Sequence, residues 1–180
     1  NTYYINHAME PVDIIKMLVA GSKKYYPPRQ IKNGLSSYET LILASLIESE
    51  ATMNSERERI ASVFLNRLKK GIPLQCDPTV QYSKFKLGLP NPLRIGGTDL
   101  RRSHPYNTYR ISGLPPGPIC SPGLPSMQAA AKPSTTEELY FVADGNGTHV
   151  FSATLEDHLK AVQAYRKIQA EKKLNNQEKP

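Results

Sequence analysis

The sequence predicts an α+β fold: a helical core, a small β-hairpin and a long Pro/Gly-rich segment between them. Three observations carry this. Residues 9–70 and 152–170 place apolar side chains at helical spacing. Residues 139–152 read as two short strands around Asp144-Gly145-Asn146-Gly147. Residues 71–126 hold ten of the fifteen prolines and seven of the eleven glycines, too many for regular elements. At 180 residues the chain suffices for one ordinary domain, and 39% hydrophobic residues build a core and exclude general disorder. The best apolar run, Leu41–Ile47, is far short of the ~18–20 residues that span a bilayer. Asn1–Ile5 is polar and strand-like, so no signal peptide is expected to open the chain.

The first helix is expected from Pro11 to Lys24. Pro11 suits a first turn, where its missing N–H has no partner to lose. Ile14, Ile15, Leu18 and Val19 form its stripe, and Pro27-Pro28 stop it. A second helix runs from Ser37 to Ala51, with Ser37 and Thr40 as cap candidates. A third starts near Asn54, where Ser55-Glu56-Arg57-Glu58 fits a capping box. Ile60, Val63, Phe64 and Leu68 are its buried face, and Gly71 ends it in the left-handed conformation. Leu139–Ala143 and Thr148–Ser152 are the strands, and Thr154 caps a last helix bearing Leu155, Leu159, Val162 and Tyr165. Residues 71–126 form an uncommonly long loop for a compact domain, which marks them as the place for a binding cleft.

The formal net charge of +7 suits a polyanionic partner: nucleic acid, an anionic membrane surface or an anionic wall polymer. Much of that charge lies between Lys167 and Lys179, a pattern that reads as a solvated tail. The sequence has no zinc-finger spacing and no basic-aromatic pattern, so nucleic acid is not expected. Cys76 and Cys120 are 44 residues apart without a CxxC. Two free thiols and one disulfide both fit. His149 and His158 have no metal-ligand spacing around them and read as structural, so no metal is expected.

The second helix is apolar nearly all round and then ends in Glu48-Ser49-Glu50. Glu48 shares a face with Leu41, Ala44, Ser45 and Ala51, whose small members leave space above the carboxylate. Glu50 lies roughly opposite, with Leu43, Leu46 and Ile47. Two readings of Glu48 stand. In one the helix surfaces there and Glu48 is solvated or pairs with Arg57 or Arg59. In the other the apolar wall raises its pKa, so that it holds a proton at neutral pH and can donate it.

Six segments in order decide more than the helix alone. They are Ala44–Glu50; Glu56-Arg57 with Ala61–Leu68; Leu74–Tyr82; Tyr106–Tyr109; Gly113–Ile119; and Leu139–Gly145. Together they resemble the MltG/YceG-type endolytic murein (peptidoglycan) transglycosylases. The resemblance spans about residues 40–165 and implies a YceG-like catalytic domain over 9–170. It makes residues 1–8 the end of a LysM-like domain and leaves 171–180 as a tail. It also implies cleavage of peptidoglycan glycan strands between N-acetylmuramic acid and N-acetylglucosamine, by a carbon–oxygen lyase acting on polysaccharide. No cofactor is implied. The parent chain would carry one N-terminal membrane anchor, with the enzyme on the outer side of the cytoplasmic membrane, and peptidoglycan synthases as partners.

On this resemblance the catalytic Glu maps onto Glu48. The chemistry implied is lytic: the acid protonates the glycosidic oxygen, then takes the proton of the muramic acid 6-hydroxyl as that oxygen attacks its own anomeric carbon. A 1,6-anhydro sugar results. The nucleophile is tethered, so one carboxylate can replace the two of a hydrolase. Asp77 is the rival carboxylate. Gln75, Asp77 and Thr79 are candidates for binding sugar hydroxyls, against a reading as turn chemistry around Pro78. Tyr82, Tyr106 and Tyr109 could stack on sugar rings or pack. Asn107 could orient substrate or knit its loop, and Asn66, a poor helix former in mid-helix, suggests a buried hydrogen bond bracing the cleft. Two other functions remain: a non-catalytic peptidoglycan-binding scaffold, and the pyridoxal-phosphate-dependent aminodeoxychorismate lyase label attached to this family. The latter needs a Schiff-base Lys and a phosphate cradle that the sequence does not display.

Overall fold

Helix α2 (Ser37–Glu50) is the axis on which the rest is built, as its unbroken apolar run requires. Thr40 and every residue from Ile42 to Ile47 are buried in it. The computed structural model describes residues 2–23 and 33–177. Before α2 comes α1 (Pro11–Lys23). After it, a single 3-10 turn (Asn54–Glu56) leads into α3 (Arg57–Lys69). Helices α4 (Asp77–Lys86), α5 (Gly97–Arg101) and α6 (Leu124–Ala131) follow, then strands β1 (Tyr140–Ala143) and β2 (His149–Ser152), then α7 (Leu155–Gln177). The strands form one antiparallel hairpin with Tyr140 opposite Ser152 and Ala143 opposite His149.

The core lies where α2, α3 and α6 meet. Leu43, Leu46 and Ile47 pack with Ile60, Phe64, Leu74 and Met127. Burying each such side chain contributes about 1.5–3 kcal/mol. Helix α6 brings Ala129, Ala130 and Ala131, all buried, whose small side chains allow close approach to α2 and α3. The hairpin closes over α3 through Phe141, which meets Phe64 edge-on at 5.9 Å.

Several expectations shift by a residue or more. The α2 cap is Ser36, not Ser37 or Thr40: Ser36 and Glu39 form a full capping box. The box expected at Ser55–Glu58 does not form, because a 3-10 turn occupies that stretch and the α3 N-cap, Glu56, has no side-chain cap bond. Glu56 is engaged elsewhere, as described below. Gly71 does close α3 at φ 67, in a Schellman arrangement where Ile72 N–H donates to Arg67 C=O at 2.9 Å. The segment 71–126, expected as loop, contains two helices, α4 and α5, and the start of a third, α6. Helix α4 ends like α3, with Gly88 at φ 65 and Leu89 N–H donating to Lys84 C=O at 3.0 Å. Helix α7 continues to Gln177, past the tail boundary expected at 170. Helix α1 ends at Lys23; Lys24 and Pro27-Pro28 lie outside the described residues. Both cysteines are free thiols, Cys76 buried and Cys120 exposed. Among the described residues no helix is long and apolar enough to cross a membrane.

Candidate active site

The last turn of α2 carries two carboxylates that leave the helix on opposite sides. At 100° per residue a two-residue step is about 200°, so Glu48 and Glu50 face different neighbours. Their surroundings differ in kind.

Glu48 points towards the Pro-rich segment that leads into α6. Its Oε2 accepts from Arg57 Nη1 at 3.2 Å, Ser126 Oγ at 2.6 Å and Gly123 N–H at 3.3 Å. Arg57 also donates to Ser126 Oγ and, through Nε, to Asn54 Oδ1 at 2.9 Å. The Arg57 side chain is 11% exposed and that of Glu48 32% exposed. This is a closed ion pair that ties α2, α3 and α6 together.

Glu50 points the other way, into a cleft of about 330 Å3 between α2, the start of α4, and the hairpin. Arg67, Gln75, Asp77, Tyr109, His149 and His158 line it with Glu50. Burial pushes the Glu50 carboxyl up to about 7. The Cys76 thiol and Asp77 backbone amide pull against that rise, as does His149, while the Asp77 carboxylate adds to it. Burial also pushes the Cys76 thiol well up, with Glu50 beside it adding to the effect. A carboxyl that titrates near 7 is half protonated at neutral pH, which suits a general acid.

The cleft floor is built by Arg67. It is 7% exposed and among the described residues has no carboxylate partner; it donates instead to Leu139 C=O at 2.6 Å, Pro73 C=O at 3.0 Å, Leu74 C=O at 2.9 Å and Gln75 Oε1 at 3.2 Å. Burial lowers its pKa from the usual guanidinium value. Those four bonds fasten β1 to the turn before α4. In that turn Gln75 takes a left-handed backbone, φ 53, which only a constrained non-glycine residue adopts. Pro78 at the start of α4 sets the helix direction. Asp77 accepts from the Tyr109 hydroxyl at 2.6 Å, and burial followed by this bond raises the phenol's pKa. On the opposite wall His149 Nδ1 lies 2.8 Å from Glu56 Oε2, while its backbone N–H donates to Glu56 Oε1, also at 2.8 Å. His158 stacks on Tyr140 with ring centroids 5.0 Å apart; burial lowers its pKa and the charge of Arg67 lowers it further.

Of the residues singled out from sequence, Gln75, Asp77 and Tyr109 therefore meet at one cleft, but with Glu50 rather than Glu48. Thr79 and Asn107 do not reach it. Thr79 is fully buried, donating to Cys76 C=O and sharing a 2.8 Å bond with Thr108 Oγ1. Asn107 is fully buried too. Its Nδ2 donates to the carbonyls of Asp99, Leu100 and Arg102, and its Oδ1 accepts from Tyr109 N–H at 3.0 Å. Asn66 donates to the carbonyls of Thr136 and Glu138, bracing the strand that enters the hairpin. Tyr82 and Tyr106 pair with each other at 4.8 Å, and Tyr106 meets Gly117 rather than the Glu50 cleft. Glu50, Arg67, His149 and His158 were not singled out for the cleft. One signal could have found Glu50: its face-mates Leu43, Leu46 and Ile47 are the more apolar set.

The model of the YceG-like family matches residues 1–164. The chain belongs to the YceG-like family. Over 163 residues it is 45% identical to a Bacillus subtilis (strain 168) protein named endolytic murein transglycosylase, covering 89% of this chain and 44% of that relative. A Streptococcus pneumoniae (serotype 2, strain D39) protein of the same name is 36% identical, over 87% of this chain and 29% of the relative. A crystal structure of a YceG-like protein from Listeria monocytogenes superposes with a TM-score of 0.72 at 38% identity, covering 88% of this chain and 52% of that one. This YceG-like chain thus spans less than half the length of the curated relatives it matches.

Proposed function

We propose that this YceG-like chain is the catalytic unit of an endolytic murein transglycosylase. It cleaves MurNAc–GlcNAc bonds of peptidoglycan without water and leaves 1,6-anhydro-MurNAc ends. The names of its relatives support the substrate and the reaction class. The observation that carries the reading is the desolvated Glu50 carboxyl, poised near pH 7 in a polar-lined cleft. Glu50 replaces Glu48 as the acid, because Glu48 Oε2 is already committed to three donors and sits outside this cleft.

Protonated Glu50 donates to the glycosidic oxygen as the C1–O bond breaks. The muramic acid 6-oxygen then bonds to C1, and its proton returns the carboxylate to the acid form. A tethered nucleophile needs no second carboxylate to activate water. Asp77, the other carboxylate of the cleft, is engaged by Tyr109 and serves with Gln75 to hold sugar hydroxyls. The parent chain is anchored in the cytoplasmic membrane with this unit outside, where glycan strands and the synthases that extend them are within reach.

Mass spectrometry of muropeptides released from purified peptidoglycan tests this. Wild type releases anhydro-ended fragments and Glu50→Gln releases none. Reducing ends in place of anhydro ends would refute the lytic reaction. Glycan binding with no turnover by wild type would favour the scaffold function instead.

A further inference from the structure

The Glu56–His149 pair joins the cleft to the turn before α3, and the mechanism above leaves it unused. Both side chains are 12% exposed. Glu56 grips His149 twice, at the backbone N–H and at Nδ1. The two residues are 93 positions apart, joining the turn before α3 to β2. Phe141 and Phe151 pack edge-on to the imidazole at 5.4 and 6.2 Å, which fixes its plane. A carboxylate on Nδ1 selects the tautomer with its proton there, so Nε2 is an acceptor in the neutral ring. Among the described residues Nε2 has no protein partner and is not a buried orphan, so it opens on the cleft that His149 lines with Glu50.

We infer that His149, oriented by Glu56, is the relay that takes the proton of the substrate 6-hydroxyl and passes it to Glu50. This rests on the reading of Glu50 as the acid. The 6-O–H bond breaks as the 6-oxygen bonds to C1, and its proton goes to Nε2. The imidazolium is held by the Glu56 carboxylate. The imidazolium then gives that proton to the Glu50 carboxylate, which lost its own to the departing glycosidic oxygen. Charge and protons balance within one turnover and no external acid or base is consumed. The other titratable groups that line the cleft with His149 and Glu50 are Asp77 from the start of α4, Tyr109 from the loop after α5, Arg67 from α3 and His158 from α7.

The relay makes His149 necessary as a base and Glu50 as an acid. The kcat of wild type therefore falls on the alkaline side as Glu50 loses its proton. His149→Ala is expected to lower kcat by about 10²-fold with little change in KM. Added imidazoles restore turnover, more so the more basic the imidazole. Glu56→Gln, which keeps an acceptor for the His149 backbone N–H, gives a smaller loss of the same kind in a protein that melts like wild type. The proposal is overturned if the loss in His149→Ala lies in KM, or if imidazoles restore nothing while the protein remains folded. Activity in Glu50→Gln would instead overturn the acid assignment; an inactive Glu50→Gln beside a fully active His149→Ala overturns only the relay.

Discussion

Two carboxylates two residues apart on α2 have opposite fates. Glu48 is met by a guanidinium, a hydroxyl and a backbone N–H, all on one oxygen. Glu50 is met by a thiol, a second carboxylate and the end of a hairpin, and its pKa climbs to about 7. The first arrangement ties α2, α3 and α6 together through one oxygen. The second destabilises the ionised fold and leaves the group able to exchange a proton. The comparison teaches that a helix position alone does not make an acid; the number and charge of the donors that tertiary packing brings to it do.

The widest gap between the two sides should be in activity. Glu50→Gln is expected to lose turnover to below detection, a fall of at least about 10⁴-fold, while Glu48→Gln stays within about threefold of wild type, in a peptidoglycan solubilisation assay. The reverse ranking would break the comparison outright.

Stability should move in the opposite sense. Between pH 4.5 and 7 the folded chain keeps a proton on Glu50 that the unfolded chain has released, so stability falls as pH rises through that window. Above pH 7 the cost is fully present, and Glu50→Gln removes it. That variant should be more stable than wild type by on the order of 2–3 kcal/mol at pH 8, and equal to it below pH 4.5, in denaturant melts. Glu48→Gln should lose about 1–2 kcal/mol at neutral pH, because Arg57 stays nearly buried with only neutral acceptors. The smallest effect belongs to Tyr109→Phe. Freeing Asp77 of its hydroxyl donor loosens one sugar-binding group, and a roughly threefold rise in KM is expected.

The sequence displayed the elements better than the site. The hairpin is found within a residue of its expected strands, because strand residues and a Gly-rich turn signal locally. Gly71 closes α3 for the same reason. Helix α4 was hidden by its setting among prolines, although Pro78 at its first turn and Gly88 past its end are both helix punctuation. Asn107 and Thr79 carry side chains fit for sugar, yet folding spends them on backbone carbonyls and on Thr108; no local pattern distinguishes those uses. The resemblance put the acid on Glu48; proposing Glu50 in its place rests on partners distant in sequence, Arg57 and Ser126 around Glu48, and for Glu50 the α4 turn and a hairpin whose His149 is gripped by Glu56.

The protonation of Glu50 can be observed directly. A pH titration of its side-chain carboxyl carbon by NMR, assigned by comparison with Glu50→Gln, is predicted to show a midpoint near 7. A midpoint at the ordinary glutamate value, about 4.3, would contradict the account.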